Sequence, residues 1–204
     1  MSKEQVNIVI AGVGGQGTVL TGKLISTAAC ARGERVLSSE TIGMAQRGGS
    51  VLGHVRIGEA ATSPLVPLGA ADVLLAFEPG EALRALPYLA PDGVLICANR
   101  AVKPLPAALT NAPYDSATLL AYLQDMLGAR LTVVDTAIID EACGSQKPLN
   151  VALLGAACAS GALGITLDEA RAAIVSRVKE RFHDMNFAAL DVGAASVAVN
   201  GVEE

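Results

Sequence analysis

The sequence predicts a three-layer α/β/α, Rossmann-like domain with a mostly parallel sheet and a helical C-terminal part. Three observations carry this. Apolar runs of strand length alternate with helical segments through the first two-thirds of the chain. The first run, Val6–Ala11, ends in Gly12-Val13-Gly14-Gly15-Gln16-Gly17, and an amphipathic segment follows at once from Thr18. From Asn150 onward only helical patterns remain. One domain over residues 1–204, with its helical part from about residue 150, is expected for 204 residues.

In chain order, the glycines reverse the chain between the first strand and the first helix. Gly12, Gly14 and Gly17 match the G-x-G-x-x-G spacing. The first glycine turns the chain, the second lets backbone approach a bulky anion, and the third lets the helix pack near the strand. The helix start then offers unpaired N–H groups and partial positive charge to a phosphate. A tight strand-to-helix turn with no ligand fits the same spacing. The helix runs from about Gly17 to Arg32, with Leu20, Leu24, Ile25 and Ala28 as its apolar face and Arg32-Gly33 as its stop. Arg35–Ser39 is a short second strand. Glu40 follows the glycine loop by about 20 residues, where a dinucleotide fold keeps an acid for ribose hydroxyls. It equally suits a helix-capping or solvated carboxylate.

Thr41 to Ser50 is rich in glycine and carries Gln46-Arg47-Gly48-Gly49-Ser50. Backbone N–H groups freed by Gly48 and Gly49 beside Arg47 suit an anion; a plain loop is the other reading. Val51–Ile57 alternates apolar and polar, which predicts an edge or half-exposed strand. After a turn-rich connection at 58–67, Val73–Phe77 reads as a central parallel strand, with Glu78-Pro79-Gly80 directly behind it and a helix over Glu81–Tyr88. Gly93–Cys97 is another buried strand, ending at Asn99. Pro104, Pro106 and Pro113 mark an irregular segment. Ser116–Leu127 is helical, Leu131–Val134 a strand, and Asp135–Ala142 a short helix. Asn150 is the expected N-cap of a buried helix from Val151 to Leu163. Two further helices open at Thr166 and near Asp184. In a parallel sheet, ligands sit beyond the C-terminal strand ends. Gly12 to Gly17, Glu40, Glu78 and Asn99 are therefore expected on one rim.

Composition narrows the function. Hydrophobic residues make up 51% of the chain and charged residues 17%, below the roughly 25% of an average domain. A surface so poor in charge points to one covered by a partner. The net charge is −5, no basic run stands out, and there is no Trp. Nucleic acid is not an expected partner. The polar start Met1–Gln5 lacks a leader's layout, and the run Val151–Ile165 is too short to span a bilayer, so a cytoplasmic protein without a membrane partner is expected. Cys30, Cys97, Cys143 and Cys158 share no C-x-x-C spacing, and His54 and His183 are isolated. All four cysteines are expected as buried small hydrophobes, with no metal site and no catalytic residue on this chain. Gly17, four residues, then Gly22-Lys23 nearly spells a nucleotide-triphosphate loop, but Leu24 stands where a Mg²⁺-holding hydroxyl belongs.

Two segments together carry a resemblance. Ile10-Ala11-Gly12-Val13-Gly14-Gly15-Gln16-Gly17 and Ser39-Glu40-Thr41-Ile42-Gly43-Met44-Ala45-Gln46-Arg47-Gly48-Gly49-Ser50-Val51 resemble the gamma subunit or domain of the 2-oxoacid:ferredoxin oxidoreductases. Phe77-Glu78-Pro79 with Glu81-Ala82, Asn150-Val151-Ala152-Leu153-Leu154-Gly155, and Asn186, Phe187 and Gly193 extend it over nearly the whole chain. Within that family the chain most resembles the beta subunit of the indolepyruvate enzyme. The resemblance implies a subunit, inactive alone, of a complex that oxidatively decarboxylates a 2-oxoacid, indolepyruvate or another arylpyruvate, to acyl-CoA. Thiamine diphosphate and iron–sulfur clusters would lie on an alpha-type partner, with ferredoxin taking the electrons. This chain would enclose the site, and its glycine rim is the candidate seat for part of coenzyme A. The residues expected there are Gly12, Gly14, Gly15, Gln16, Gly17, Glu40, Gln46, Arg47, Gly48, Gly49, Ser50 and Glu78. Isolated, such a subunit is expected to form a homodimer through its partner face. A free-standing NAD(P)-dependent oxidoreductase, with Glu40 as its ribose acid, and a non-enzymatic scaffold domain are the other readings.

Overall fold

The computed structural model describes residues 5–40, 48–102 and 114–200. Its centre is a six-stranded sheet in the order β2-β3-β1-β4-β5-β6. The strands are β1 (Val6–Val13), β2 (Val36–Glu40), β3 (Ser50–Ile57), β4 (Ala71–Ala76), β5 (Leu89–Ala98) and β6 (Leu131–Val134). β1-β4, β4-β5 and β5-β6 pair parallel, while β3 pairs antiparallel with both β1 and β2. Every strand except β3 therefore points the same way, and the start of β3 comes back to the rim where the others end.

The helices are α1 (Thr18–Ala31), α2 (Pro79–Ala85), α3 (Ser116–Leu127), α4 (Thr136–Cys143), α5 (Leu149–Ala159), α6 (Leu167–Arg177) and α7 (His183–Asn200). They form two layers. Alternate side chains of β1 and β4 divide between them, as strand geometry requires. Ile8, Ile10, Val73 and Leu75 pack with α1, α5, α6 and α7, while Val9, Ala11, Leu74 and Ala76 pack with α2 and α3. The α1 stripe is as expected, with Leu24, Ile25 and Ala28 buried and Leu20 half-buried against the same core.

β3 is an interior strand, not the edge its alternation predicts. The alternation has another cause. One face meets the core through Val51, Val55 and Ile57. The other is covered by the connection at 58–70, whose backbone groups need polar partners. Arg56 supplies them to the Ser63 and Leu65 carbonyls, and buried His54 accepts the Val66 N–H at Nδ1, 3.3 Å away. The His54 ring stands edge-on to Tyr88, 5.5 Å between centroids.

Burial lowers the His54 pKa below its usual 6.5. Protonation is then easier in the unfolded chain than in the folded one. This part of the stability is intact above the unfolded pKa and declines as the pH falls through it. The expected result is a urea midpoint that drops between about pH 7.5 and pH 5.5, with a shallower drop for His54→Gln. Equal slopes in the two proteins would remove His54 as the cause.

In the helical part, residues Leu149–Cys158 are all buried. That accounts for the long apolar run, and among the described residues no helix is long and apolar enough to cross a membrane. Asn150 is not the N-cap of α5. Pro148 holds that position and Asn150 lies in the first turn. Thr166 does cap α6, in a reciprocal box with Glu169. α5 and α7 cross at two facing glycines. A Cβ on Gly155 would overlap the Leu190 carbonyl, and one on Gly193 the Ala152 carbonyl.

Cys30 is exposed on α1 and Cys143 is half-buried, contrary to the expectation of four buried cysteines, while Cys97 and Cys158 are buried. Cys30 follows buried Ala28 and Ala29, so helical periodicity turns it outward. The segment with Pro104, Pro106 and Pro113 lies outside the described residues.

Candidate functional site

The glycine loop closes on its own side chain. The Val13 N–H donates to Gln16 Oε1 at 2.6 Å, and Gln16 Nε2 donates to the Phe77 carbonyl at 3.3 Å. Gln16 thereby ties the end of β1 to the end of β4. Gly12 makes room for it, because a Cβ there would stand 2.9 Å from Gln16 Oε1, 2.9 Å from Thr18 Cγ2 and 3.1 Å from Phe77 Cβ. Gly17, at φ 95°, is in the left-handed region that favours glycine. Its open flank meets α5: a Cβ would lie 3.2 Å from Asn150 Cγ.

The two glycine segments meet. The Gly14 N–H donates to the Gly49 carbonyl at 2.8 Å, and Ser50 pairs with Val13 across the sheet. Ser50 Oγ donates to Glu81, tying this strand start to α2. Gly48, Gly49 and Ser50 thus lie beside the first loop, while Gln46 and Arg47 lie outside the described residues. The Gly14 N–H is spent on Gly49, so the second glycine of the motif serves the junction of the loops.

Glu78 sits at the end of β4 but inside the protein, fully buried. It caps α2 by accepting the Glu81 N–H at 2.6 Å, and it also accepts the Tyr114 hydroxyl. Burial first, and then the bond to Glu78, push the Tyr114 phenol pKa up. Buried Glu81 accepts from Arg84 Nη2 at 2.6 Å, and that bond is the main reason the guanidinium pKa is raised. Asn99 lies on the same rim beyond β5, where it joins β6 to α4. It donates to Asp135 at 2.9 Å and accepts the Thr136 N–H at 3.0 Å.

Two clefts flank the glycine loop. One, about 450 Å³, lies between α1 and the β2-β3 edge, with Gly14, Gly15, Thr18 and Glu40 in its wall. The other, about 290 Å³, lies on the α5 side, between Gly15, Gln16, Arg100 and Lys147. Of these two, Glu40 lines the first, together with Lys23, and not the second; Glu78 lines neither. Sequence reasoning missed Arg100, Lys147, Glu81 and Tyr114 as neighbours of the rim. Glu81 had a weak signal, three residues after Glu78 in a helix start. The others are separated from the loop by long stretches of chain.

Among the described residues no group of three or more His, Cys, Asp or Glu side chains is placed to hold a metal ion. Burial pushes the Cys158 thiol up to about 12 and the Cys97 thiol higher still, so both are protonated at neutral pH.

The fold and the rim define a Rossmann-like α/β domain whose two glycine segments meet beyond the ends of its parallel strands. The chain belongs to the pyruvate ferredoxin/flavodoxin oxidoreductase family, which matches residues 7–196. It is 36% identical over 189 residues to the indolepyruvate oxidoreductase subunit IorB of Archaeoglobus fulgidus, covering 93% of this chain and 94% of that one. It is 32% identical over 191 residues to the subunit of the same name from Thermococcus kodakarensis, covering 93% and 95%. Its fold is shared with the gamma subunit of a keto/oxoacid ferredoxin oxidoreductase from Geobacter sulfurreducens, at a TM-score of 0.66 and 24% identity over 95% of this chain and 99% of that one.

Proposed function

We propose that this chain is the subunit of an indolepyruvate-type ferredoxin oxidoreductase that carries neither thiamine diphosphate nor iron–sulfur clusters. The observation that carries this reading is the end-to-end match to IorB subunits, each spanning nearly the same length as this chain. In the reaction a 2-oxoacid loses its carboxylate as carbon dioxide, its acyl carbon joins the sulfur of coenzyme A, and the released electrons pass to ferredoxin. Thiamine diphosphate and clusters on an alpha-type subunit supply the carbanion and electron chemistry. This chain, acting as one gamma-type domain, packs on that subunit and helps to exclude water from the site. It works in the cytoplasm and self-associates through the partner face when isolated. Exposed Leu65, Leu68, Tyr122 and Met126 supply apolar surface for such contacts.

The glycine rim, Gly12 to Gly17 with Gln46 to Ser50 and Glu40 beside it, receives the phosphates of coenzyme A. Glu78 supports the rim from within. A pull-down from the native cell tests the assembly: a thiamine diphosphate and iron–sulfur subunit is expected to co-purify, and its absence would reject the reading. In the assembled complex, Gly14→Asp and Arg47→Ala are each expected to raise the KM for coenzyme A about tenfold. An unchanged KM in both would reject the rim as its seat. Glu40 in the wall of the first cleft supports a second reading, an NAD(P) site there. Tight NADH binding by the isolated chain would favour it.

A further inference from the structure

β2 is an edge of the sheet, with β3 as its neighbour on one side and no described strand on the other. Backbone groups alternate in direction along an antiparallel ladder, so half of those in β2 face the open side. Two hydrogen bonds at the ends of β3 fix which half. The Gly58 N–H donates to the Arg35 carbonyl at 2.9 Å, and on the other flank of β3 the Gly14 N–H donates to the Gly49 carbonyl at 2.8 Å. Followed along the two registers, both bonds give the same answer. Arg35, Leu37 and Ser39 bond to β3, while Val36, Ser38 and Glu40 turn their N–H and C=O groups outward.

Proteins blunt such an edge with a lysine, a proline or a bulge. Val36-Leu37-Ser38-Ser39-Glu40 has no lysine or proline, and it pairs with β3 without a register shift. Its central residue, Ser38, is exposed. A third cleft, about 550 Å³, borders Ser38, Ser39 and Glu40, and the small side chains of Ser26, Thr27 and Cys30 stand in its α1 wall. The outward groups are symmetric about Ser38. Two-fold, antiparallel pairing with a second copy sets Ser38 opposite Ser38 and Val36 opposite Glu40, so that each outward N–H meets a C=O. The two Glu40 side chains then lie at opposite ends of the pair. Both are on the α1 side, since Val36 packs into the α1 core and a Cβ on Gly22 would lie 3.8 Å from Glu40 Oε1. That side also carries the exposed cations Lys23 and Arg177, which line the same cleft. The edge complements itself in hydrogen bonding, in bulk and in charge.

We infer that a second copy of this chain adds to β2 through its own β2, joining the two sheets into one across a two-fold axis at Ser38. The inference rests on the reading that the isolated chain self-associates, and it adds the surface and the register.

Sedimentation equilibrium of the purified chain reads the dimer, and cysteine cross-linking reads the register. Ser38→Pro removes an outward N–H only, which an edge strand tolerates. Ser38→Lys sets like charges directly opposite one another. Each is expected to raise the dimer dissociation constant about tenfold or more, with the circular dichroism of the wild type retained. In a Cys30→Ser background, Ser38→Cys is expected to give a disulfide-linked dimer on mild oxidation. Opposite residues of a hydrogen-bonded pair are about 5.5 Å apart between Cα atoms, within disulfide reach. Val36→Cys, opposite Glu40, is expected to stay unlinked, and a cross-link there in place of the one at Ser38→Cys overturns the register. If both Ser38→Pro and Ser38→Lys leave the dimer intact, the edge is overturned. Dissociation by Tyr122→Ser with Met126→Ser would then keep self-association, through apolar surface. A monomeric wild-type chain overturns both readings. If the chain is monomeric and Ser38→Pro weakens co-purification of the alpha-type subunit, the edge takes a strand of that partner, and the inference is likewise overturned.

Discussion

Replacing Gly193 or Gly155 by alanine is expected to destabilise the protein by more than about 3 kcal/mol, and to leave little folded subunit for assembly. Overpacking a core usually costs about 1–3 kcal/mol, because neighbouring side chains shift to make room. Here the group in the way is a main-chain carbonyl, Ala152 for Gly193 and Leu190 for Gly155. The carbonyls are held within α5 and α7, so relief requires the helices to part. α5 has nowhere to retreat: Leu149 to Cys158 are buried, and they share one core with Val73, Ile96 and Ala98 of the sheet. Urea denaturation of the isolated subunit reads the loss. Gly33→Ala is the control, since Gly33 has φ 80° with nothing within 4 Å of a Cβ, and only backbone strain of about 1 kcal/mol is expected there. A midpoint for Gly193→Ala equal to that of Gly33→Ala would refute the crossing.

The same two glycines show what a sequence can and cannot convey. Their segments, Asn150 to Gly155 and the stretch around Gly193, support the family resemblance, yet nothing in the pattern says that they face each other. Contacts between residues far apart in sequence leave no trace in local periodicity. Strands fared well where burial on both faces produces a continuous apolar run, as in β4. β3 was misplaced because polar side chains serving the 58–70 connection look the same in sequence as polar side chains facing water. The rim was legible, since strand ends followed by Gly12, Glu40, Glu78 and Asn99 must share one edge of a parallel sheet. The roles on it were not. Gln16 is a turn-closing side chain and Glu78 a buried cap, and both facts depend on partners 61 and 36 residues away, Phe77 and Tyr114. The basic cleft was missed for the same reason: Arg100, Lys147 and Gly15 come together only through the order of β1, β5 and α5.

The buried pair of carboxylates behind the rim gives the second large effect. Glu78→Ala is expected to cost about 3 kcal/mol, the sum of a lost helix cap at about 1 kcal/mol and a buried hydroxyl left without its acceptor at about 1–3 kcal/mol. Glu78 is fully buried, and the Glu81 N–H and the Tyr114 hydroxyl both depend on it. Tyr114 also accepts the Gly80 N–H at 3.1 Å, so the start of α2 is fixed from two directions. Glu78→Gln keeps an oxygen for the cap and is expected to cost about 1 kcal/mol. The pair is coupled, and Tyr114→Phe isolates the coupling. In a double-mutant cycle Glu78→Ala and Tyr114→Phe are expected to be non-additive by about 1 kcal/mol or more, because the second change removes a group already stranded by the first. Strict additivity would mean that Glu78 acts as a helix cap alone. The position of α2 matters beyond stability, since Glu81 in that helix holds Ser50, and Ser50 begins the strand that fixes Gly49 against Gly14. Loosening Glu78 therefore loosens the loop junction, and its effect on coenzyme A affinity should follow its effect on stability rather than any direct contact.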